Sequence, residues 1–545
     1  MIKNKIVVIC SLVFVLVTSI SGHLFFSHLG FNPTDDGYPL AASRRILDGE
    51  IPHRDFVSVR PALSHYIHAP IISFNKKHLL LLSRYFVLIE FSLISLSWLF
   101  IANKLLKINF FKNTKNLMLF FSIGLLSFIY NLHNFPIMVW QSIDAMFFSS
   151  VGIALLTHAD KRTSLKIMAY MLIGCSPLLK QNFVLIPIFT FILFFKKKNF
   201  LDSLAMAIPG LLYLFFLAIN NAIEPMIAQL FYKNNYNFFT YLRVPNSFLM
   251  VLLGIIAGFS LKSKSMFLKS FASLLSLGFL IYISMSLRNA SGFLTKYSFY
   301  LFYYLLALSI ASLLWIKKSR SLFLFQVLSL LSAFTISISL GYNSPALASG
   351  ILIMTILLSA YKEIEKKNIA LVLSGSLFLI MFLLSLQNFI FMRTYGVYRD
   401  KPAKFLKYDL GGVLGGGAGI KTNKLTYQYL KDLKEIISKT NKPYVLLPDN
   451  SIHWVTSKQR NPLSVDWPQP IELANQKIRK KALSDLDKHF SSGGVAIIQK
   501  INASTLFIGK IKLNKDEYAL VKHTVDSYEK FDETEFFATY KKVSE

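Results

Sequence analysis

What most constrains this chain is an alternation of long apolar runs with short loops rich in lysine. After Lys3 and Lys5, apolar runs occupy residues 6–26, 79–101, 117–130, 143–157, 167–179, 183–195, 201–219, 246–261, 266–286, 298–316, 322–340, 346–360 and 369–391. A helix crossing a bilayer needs about 20 mostly apolar residues. The longer runs meet that length; the shorter ones must borrow flanking residues or sit tilted inside a bundle. The fold class expected is an α-helical polytopic membrane protein with about 13 transmembrane helices. Hydrophobic residues make up 53% of the 545, and charged residues only 16%. Typical soluble proteins carry about 25% charged residues. Lipid has to cover the apolar surface that one water-soluble core cannot hide.

The placement of charge tests this order. The loops after alternate runs hold Lys104, Lys107, Lys112 and Lys115; Lys161, Arg162 and Lys166; Lys196 to Lys198; Lys262 and Lys264; Lys317, Lys318 and Arg320; and Lys362, Lys366 and Lys367. All fall on the same side as Lys3 and Lys5. Cytoplasmic loops are basic in membrane proteins, so this side is cytoplasmic. The net charge of +30 is therefore a topology signal, and nucleic acid is not an expected partner. The first run is too long for a typical signal peptide and reads as a retained helix. Two cysteines, Cys10 and Cys175, both lie in apolar runs and support neither a disulfide framework nor a cysteine metal site.

The odd number of runs puts a long first loop (27–78), a medium loop (220–246) and the C-terminal tail (392–545) on the outer side. The chain thus divides into a membrane module, 1–391, and an extracytoplasmic tail, expected to be a small α/β domain. Within the tail, Leu425 to Ser438 has a helical apolar face of Leu425, Tyr429, Leu433 and Ile436. Tyr444 to Leu447 and Val495 to Gln499 read as buried strands, with a further strand expected at Phe536 to Tyr540. The segment Gly411 to Thr422 is rich in glycine but is not a phosphate-binding P-loop, since Lys421 follows Ile420 rather than glycine. It reads as a flexible linker or a loop beside the active site.

The first outer loop carries the strongest chemical signal. It begins Asn32-Pro-Thr-Asp-Asp-Gly-Tyr-Pro, so that Asp35 and Asp36 directly precede a helix that Pro39 can start and Gly49 can end. That helix has an apolar side of Leu40, Ile46 and Leu47 and a basic side of Arg44 and Arg45, and could lie in the membrane interface. An Asp before a helix is often only a cap. Arg84, inside the second run, is expected near the outer interface facing a phosphate. His53, His65 and His68 share the loop without a recognised metal spacing.

Asp35-Asp36, the turn Ile46-Leu-Asp-Gly-Glu50 and Arg60-Pro61 together resemble the first outer loop of the GT-C superfamily of polyprenyl-phosphate-sugar-dependent glycosyltransferases, in particular the bacterial protein O-mannosyltransferase-like and aminoarabinose-transferase-like enzymes. Ser142-Ile-Asp-Ala resembles the family's acidic residue at the outer end of its fourth helix, and Leu179-Lys-Gln a turn between later helices. The resemblance covers roughly the first 200 residues. It implies Asp35 as catalytic base beside Asp36, Arg60 and Lys180 on the donor phosphate, and Asp144 and Gln181 in acceptor binding or positioning. It also implies a polyprenyl-phosphate-linked sugar as donor, a lipid, glycan or protein as acceptor, and a bacterial plasma membrane as location. No cofactor is called for; a divalent metal would be compatible with the acidic groups, but no ligand spacing demands one. The alternative function is a transporter or flippase, which would favour inverted repeats and broken helices in matching halves. The sequence shows no such symmetry.

Overall fold

The computed structural model describes residues 2–133, 136–159, 162–195, 200–231, 247–262, 296–315, 319–337, 347–364, 368–448 and 450–542, with scattered positions between 265 and 282. Helix α1 (Ile2–Gly22) ends in one wide helical turn and leads into the first long loop, which carries α2 (Tyr38–Leu47) and α3 (Leu63–Phe74). The chain then runs through α4 (Leu79–Leu106), α5 (Thr114–Leu132), α6 (Gln141–His158), α7 (Thr163–Leu179) and α8 (Leu185–Phe194). Next come α9 (Phe200–Leu204), α10 (Ile208–Ile219), α11 (Ile223–Leu230) and α12 (Ser247–Lys262). The bundle closes with α13 (Lys296–Trp315), α14 (Arg320–Ser337), α15 (Ser349–Ile364) and α16 (Asn368–Tyr395).

Among the described residues, four helices are singly long and apolar enough to cross a membrane, and a pair bent by 119° has the length and composition of a fifth broken span or of a re-entrant loop. Five further apolar helices are shorter. The run at 201–219 is not the single helix its composition suggested. It divides into α9 and α10, and α11 then turns by 119°. Pro209, in the first turn of α10, lacks the N–H a continuous helix would need there. The run at 266–286 lies largely outside the described residues, as does 232–246.

Lipid-type surface is plain on α1, where Val8, Ile9, Leu12 and Val17 are each more than half exposed. Its other side is packed: Phe14 is buried, and Thr18 donates to Ser92 Oγ of α4 at 2.8 Å. Inside the bundle, Trp98 of α4 donates to Ser150 of α6 at 3.1 Å, since a buried indole N–H needs a partner. Helices α12 and α13 approach closely because Gly254 faces Ala307, where a β-carbon would leave only 2.9 Å. Small residues permit such approach where lipid offers no hydrophobic drive.

The tail holds β1 (Tyr408–Asp409), β2 (Lys421–Thr422), α17 (Lys424–Lys439), β3 (Tyr444–Leu447), α18 (Ser451–Thr456), α19 (Gln476–Ser491), β4 (Val495–Gln499), α20 (Ala519–Ser527), β5 (Glu529–Glu533) and β6 (Phe537–Lys541). Its main sheet has the order β3-β4-β6-β5, with β3 and β4 parallel and the other pairs antiparallel. Both faces of the parallel pair are covered, which explains its unbroken apolar runs. Val445, Leu447, Ala496 and Ile498 pack with Ile478, Leu486 and Phe490 of α19. Tyr444, Leu446, Val495 and Ile497 join Tyr429 and Leu433 of α17 in a core continuous with the bundle.

Two expectations change. Helix α2 does not offer its arginines as a free basic side. Arg45 is buried between the loop and the tail, with Nε 2.7 Å from Asp466 and Nη1 2.8 Å from Glu50, while Arg44 pairs with Asp48. The glycine-rich stretch is not a slack linker. It binds both ends of the first loop: Lys421 N–H donates to His28 O, Gly30 N–H to Lys421 O, Ala418 N–H to Lys77 O and Leu80 N–H to Gly416 O.

Candidate functional site

Asp35 and Asp36 sit in a tight turn just past α1. The Asn32 side chain accepts from Asp35 N–H at 3.0 Å, and Asp36 Oδ2 accepts from Asn32 N–H at 2.9 Å. Gly37 follows with φ +90° and lies against Ile452 of α18, so a side chain there would meet both backbone strain and a clash. The turn therefore aims the two carboxylates in different directions.

Asp35 is buried and faces the segment just after α16. The Tyr398 hydroxyl donates to Asp35 Oδ2, and Arg399 Nη1 lies 2.7 Å from the same oxygen. Burial raises the Asp35 carboxyl above the ordinary carboxylate range; Arg399 and Tyr398 pull against it, and Asp36 adds to the rise. Arg399 holds φ +43°, a region non-glycine residues rarely occupy. The next residue, Asp400, fixes this segment to the loop. It accepts from Phe31 N–H at 3.0 Å, Thr422 Oγ1 at 2.6 Å and Asn423 Nδ2 at 2.6 Å.

Asp36 pairs with Arg84 of α4 at 3.1 Å. Arg84 also donates to the carbonyls of Ser27 at 2.7 Å and Gly30 at 2.9 Å. It thus ties α4 to the end of α1, and it lines a small cavity with Asp36, Arg393 and Tyr398. In this arrangement its charge is engaged by Asp36 and the loop.

At the far end of the loop, Arg60 is buried between aromatic faces. Its guanidinium lies 5.8 Å from both the Tyr38 and the Trp140 ring centres. Nη1 donates to the Tyr38 hydroxyl at 3.2 Å and sits 4.0 Å from Glu472 of the tail. Glu472 is buried too, and desolvation pushes its carboxyl up to about 7, although Arg60 and the Tyr38 hydroxyl oppose the rise. Tyr38 is three residues from Asp35, so one turn of chain links the two ends of the site. The turn between α7 and α8 closes this side. Gln181 donates to Val59 O at 3.3 Å, and Lys180, also buried, donates to Ser142 Oγ of α6 at 2.6 Å.

Asp144 lies two residues from Ser142 but faces another way. Ser64 Oγ of α3 donates to it, His68 Nε2 lies 3.0 Å away, and Glu90 of α4 is its neighbour. This polar cluster is fully buried beneath the loop. The three loop histidines separate: His53 bonds Gln229 and Tyr213, His65 bonds Ser58, and His68 bonds Asp144.

Several residues of the site were not singled out in the sequence. Tyr398 and Arg399 could be seen as polar residues just past the last apolar run, but nothing in their spacing points to Asp35. Glu472 and Trp140 carry no local signal at all.

No family model matches the chain, and no curated protein sequence matches it either. Among solved structures, the chain is similar to the crystal structure of ArnT from Cupriavidus metallidurans bound to undecaprenyl phosphate, with a TM-score of 0.45 and 11% identity over 98% of this chain and 97% of that one. The apo structure of the same protein is similar over the same shares, with a TM-score of 0.44 and 10% identity.

Proposed function

We propose that this protein is a membrane glycosyltransferase that moves a sugar from a polyprenyl-phosphate carrier to a hydroxyl on the outer side of the membrane, with Asp35 as general base. The observation that carries this reading is Asp35 itself. It is a buried carboxylate just past the first apolar helix, raised in basicity by burial and fixed by Tyr398 and Arg399. A base is most effective when its proton affinity approaches the working pH. The motifs around Asp35, Arg60 and Lys180 that resemble glycosyltransferases of this donor class point the same way.

The reaction is written as one displacement. The acceptor hydroxyl gives its proton to the Asp35 carboxylate. The acceptor oxygen then bonds to the anomeric carbon, and the bond from that carbon to the carrier phosphate oxygen breaks. Polyprenyl phosphate leaves as an anion, stabilised by Arg60 and Lys180. Phosphate is a good leaving group, so no acid is required. A single attack from the face opposite the phosphate inverts the anomeric centre. Arg84 serves this reading through Asp36, by fixing the turn that aims Asp35. Asp144 and Gln181 position the acceptor side, Gln181 by holding Val59 beside Arg60.

The test is release of polyprenyl phosphate from labelled polyprenyl-phosphate sugars by purified protein, with membrane extracts as acceptor source. Release by the wild type and its loss in Asp35→Asn is the expected result. Equal release by both removes Asp35 from the chemistry. No release from any sugar by folded protein overturns the reading.

A further inference from the structure

The tail places an acid where the proposed reaction calls for cations. Glu472 arrives from the tail's main domain, is buried, and reaches the guanidinium of Arg60 at 4.0 Å. Among the described residues, few groups bear on it. Arg60 and Tyr38 face it from the loop and α2. Asp466, the next acid of the tail, lies beyond Tyr38 and is taken by Arg45. Lys180 lies within electrostatic reach of Arg60 and donates to Ser142. A carboxylate and a phosphate cannot share one arginine without repulsion unless a proton neutralises one of them.

We propose that Glu472 is a built-in competitor for the donor phosphate: ionised, it holds Arg60, and protonated, it yields Arg60 and can donate a hydrogen bond to a phosphate oxygen. This rests on Arg60 as a phosphate-binding residue, as argued under Proposed function. The loose 4.0 Å approach, where close arginine–carboxylate pairs reach 2.7–2.9 Å, suits a contact that has to be exchanged. Desolvation brings the Glu472 carboxyl to about 7, so both forms are populated near neutral pH. Phosphate binding then takes up a proton, and the tail sets how readily the loop accepts its donor.

The test is calorimetric titration of the full-length protein in detergent with undecaprenyl phosphate, at pH 6, 7 and 8, in buffers of different ionisation enthalpy. If only the protonated form is competent, wild-type affinity falls about tenfold from pH 6 to pH 8, measured relative to the Glu472→Gln variant. Glu472→Gln is expected to bind about tenfold more tightly than wild type at pH 8 and to lose the proton uptake that Glu472 contributes at pH 7. The phosphate's own titration is common to both proteins and cancels. Glu472→Asp, which keeps a titratable carboxyl, is expected to keep the proton uptake, and it decides the matter if the Gln variant does not fold. Weaker binding by Glu472→Gln at every pH, or an unchanged pH dependence, makes Glu472 a mere prop for Arg60 and overturns the proposal. Absence of binding by folded wild type at every pH overturns the phosphate reading of Arg60 together with it.

Discussion

Two points of the first long loop, Asp35 and Arg60, are each met by a residue hundreds of positions away, yet in opposite styles. At one end, Asp35 is gripped by Tyr398 and by Arg399 at 2.7 Å, from a segment itself locked down by Asp400. At the other end, Arg60 faces Glu472 across 4.0 Å, cushioned by Tyr38 and Trp140. On the proposed reading, the first end is a cage that orients a base. The second is an adjustable contact that leaves a cation available. The difference is that residues after the last apolar run reach both points, and on the proposed reading they fix one group and compete for the other.

The sharpest way to break this comparison is Asp35→Asn. A general base contributes roughly 10²–10⁴-fold, so the rate of carrier release is expected to fall by that factor. A loss of less than tenfold would mean the cage encloses no base.

Asp400→Ala attacks the cage rather than the base. It leaves Phe31 N–H, Lys401 N–H and the Thr422 hydroxyl without their Asp400 acceptor, while Asn423 Nδ2 keeps only Thr426 Oγ1. Buried unsatisfied groups cost about 1–3 kcal/mol each, so a loss of roughly 4 kcal/mol is expected, read as thermal or denaturant unfolding in detergent. A change under about 1 kcal/mol would show that the tail segment is held elsewhere.

Glu472 offers a test by pH. Its folded value of about 7 lies above the ordinary 4.5, so the folded protein holds this proton more tightly than the unfolded chain. The stability this confers is complete below about pH 4.5 and is lost as pH rises through about 7. Relative to Glu472→Gln, the wild type is expected to lose up to about 3 kcal/mol across that window. Parallel stability–pH curves for the two proteins would contradict it.

Tyr398→Phe is the mildest probe. It removes one of the two groups that pull the Asp35 carboxyl down, so that carboxyl should titrate at higher pH. The rate is expected to fall about tenfold, and the acid limb of the pH–rate profile to move to higher pH. A fall in rate with an unmoved acid limb would assign Tyr398 to packing alone.

Much of this molecule could be read from local pattern. The tail helix expected at Leu425 to Ser438 is Lys424–Lys439, and the strands at Tyr444–Leu447 and Val495–Gln499 stand as expected. The third strand begins one residue later than expected, at Phe537. Helix α2 starts and stops where Pro39 and Gly49 indicate. Other elements escaped. Helix α3 sits in the first long loop with Pro70 inside it, and β5 is the polar stretch Glu529–Glu533, exposed throughout at the sheet edge. Neither carries the periodicity by which such elements are recognised.

By itself, the sequence determined the alternation of apolar runs and basic loops, the change of composition at the tail, and the acidic turn after the first helix. These are local properties, set by hydrophobic periodicity and by the cost of exposing backbone or charge to lipid. Only the tertiary structure decided that Tyr398, Arg399 and Glu472 meet the first loop, that Arg45 is spent on Asp466, and that Asp144 turns toward His68 rather than Asp35. Pairings between residues hundreds of positions apart depend on which surfaces the packed helices and the tail bring together, and no spacing along the chain encodes them.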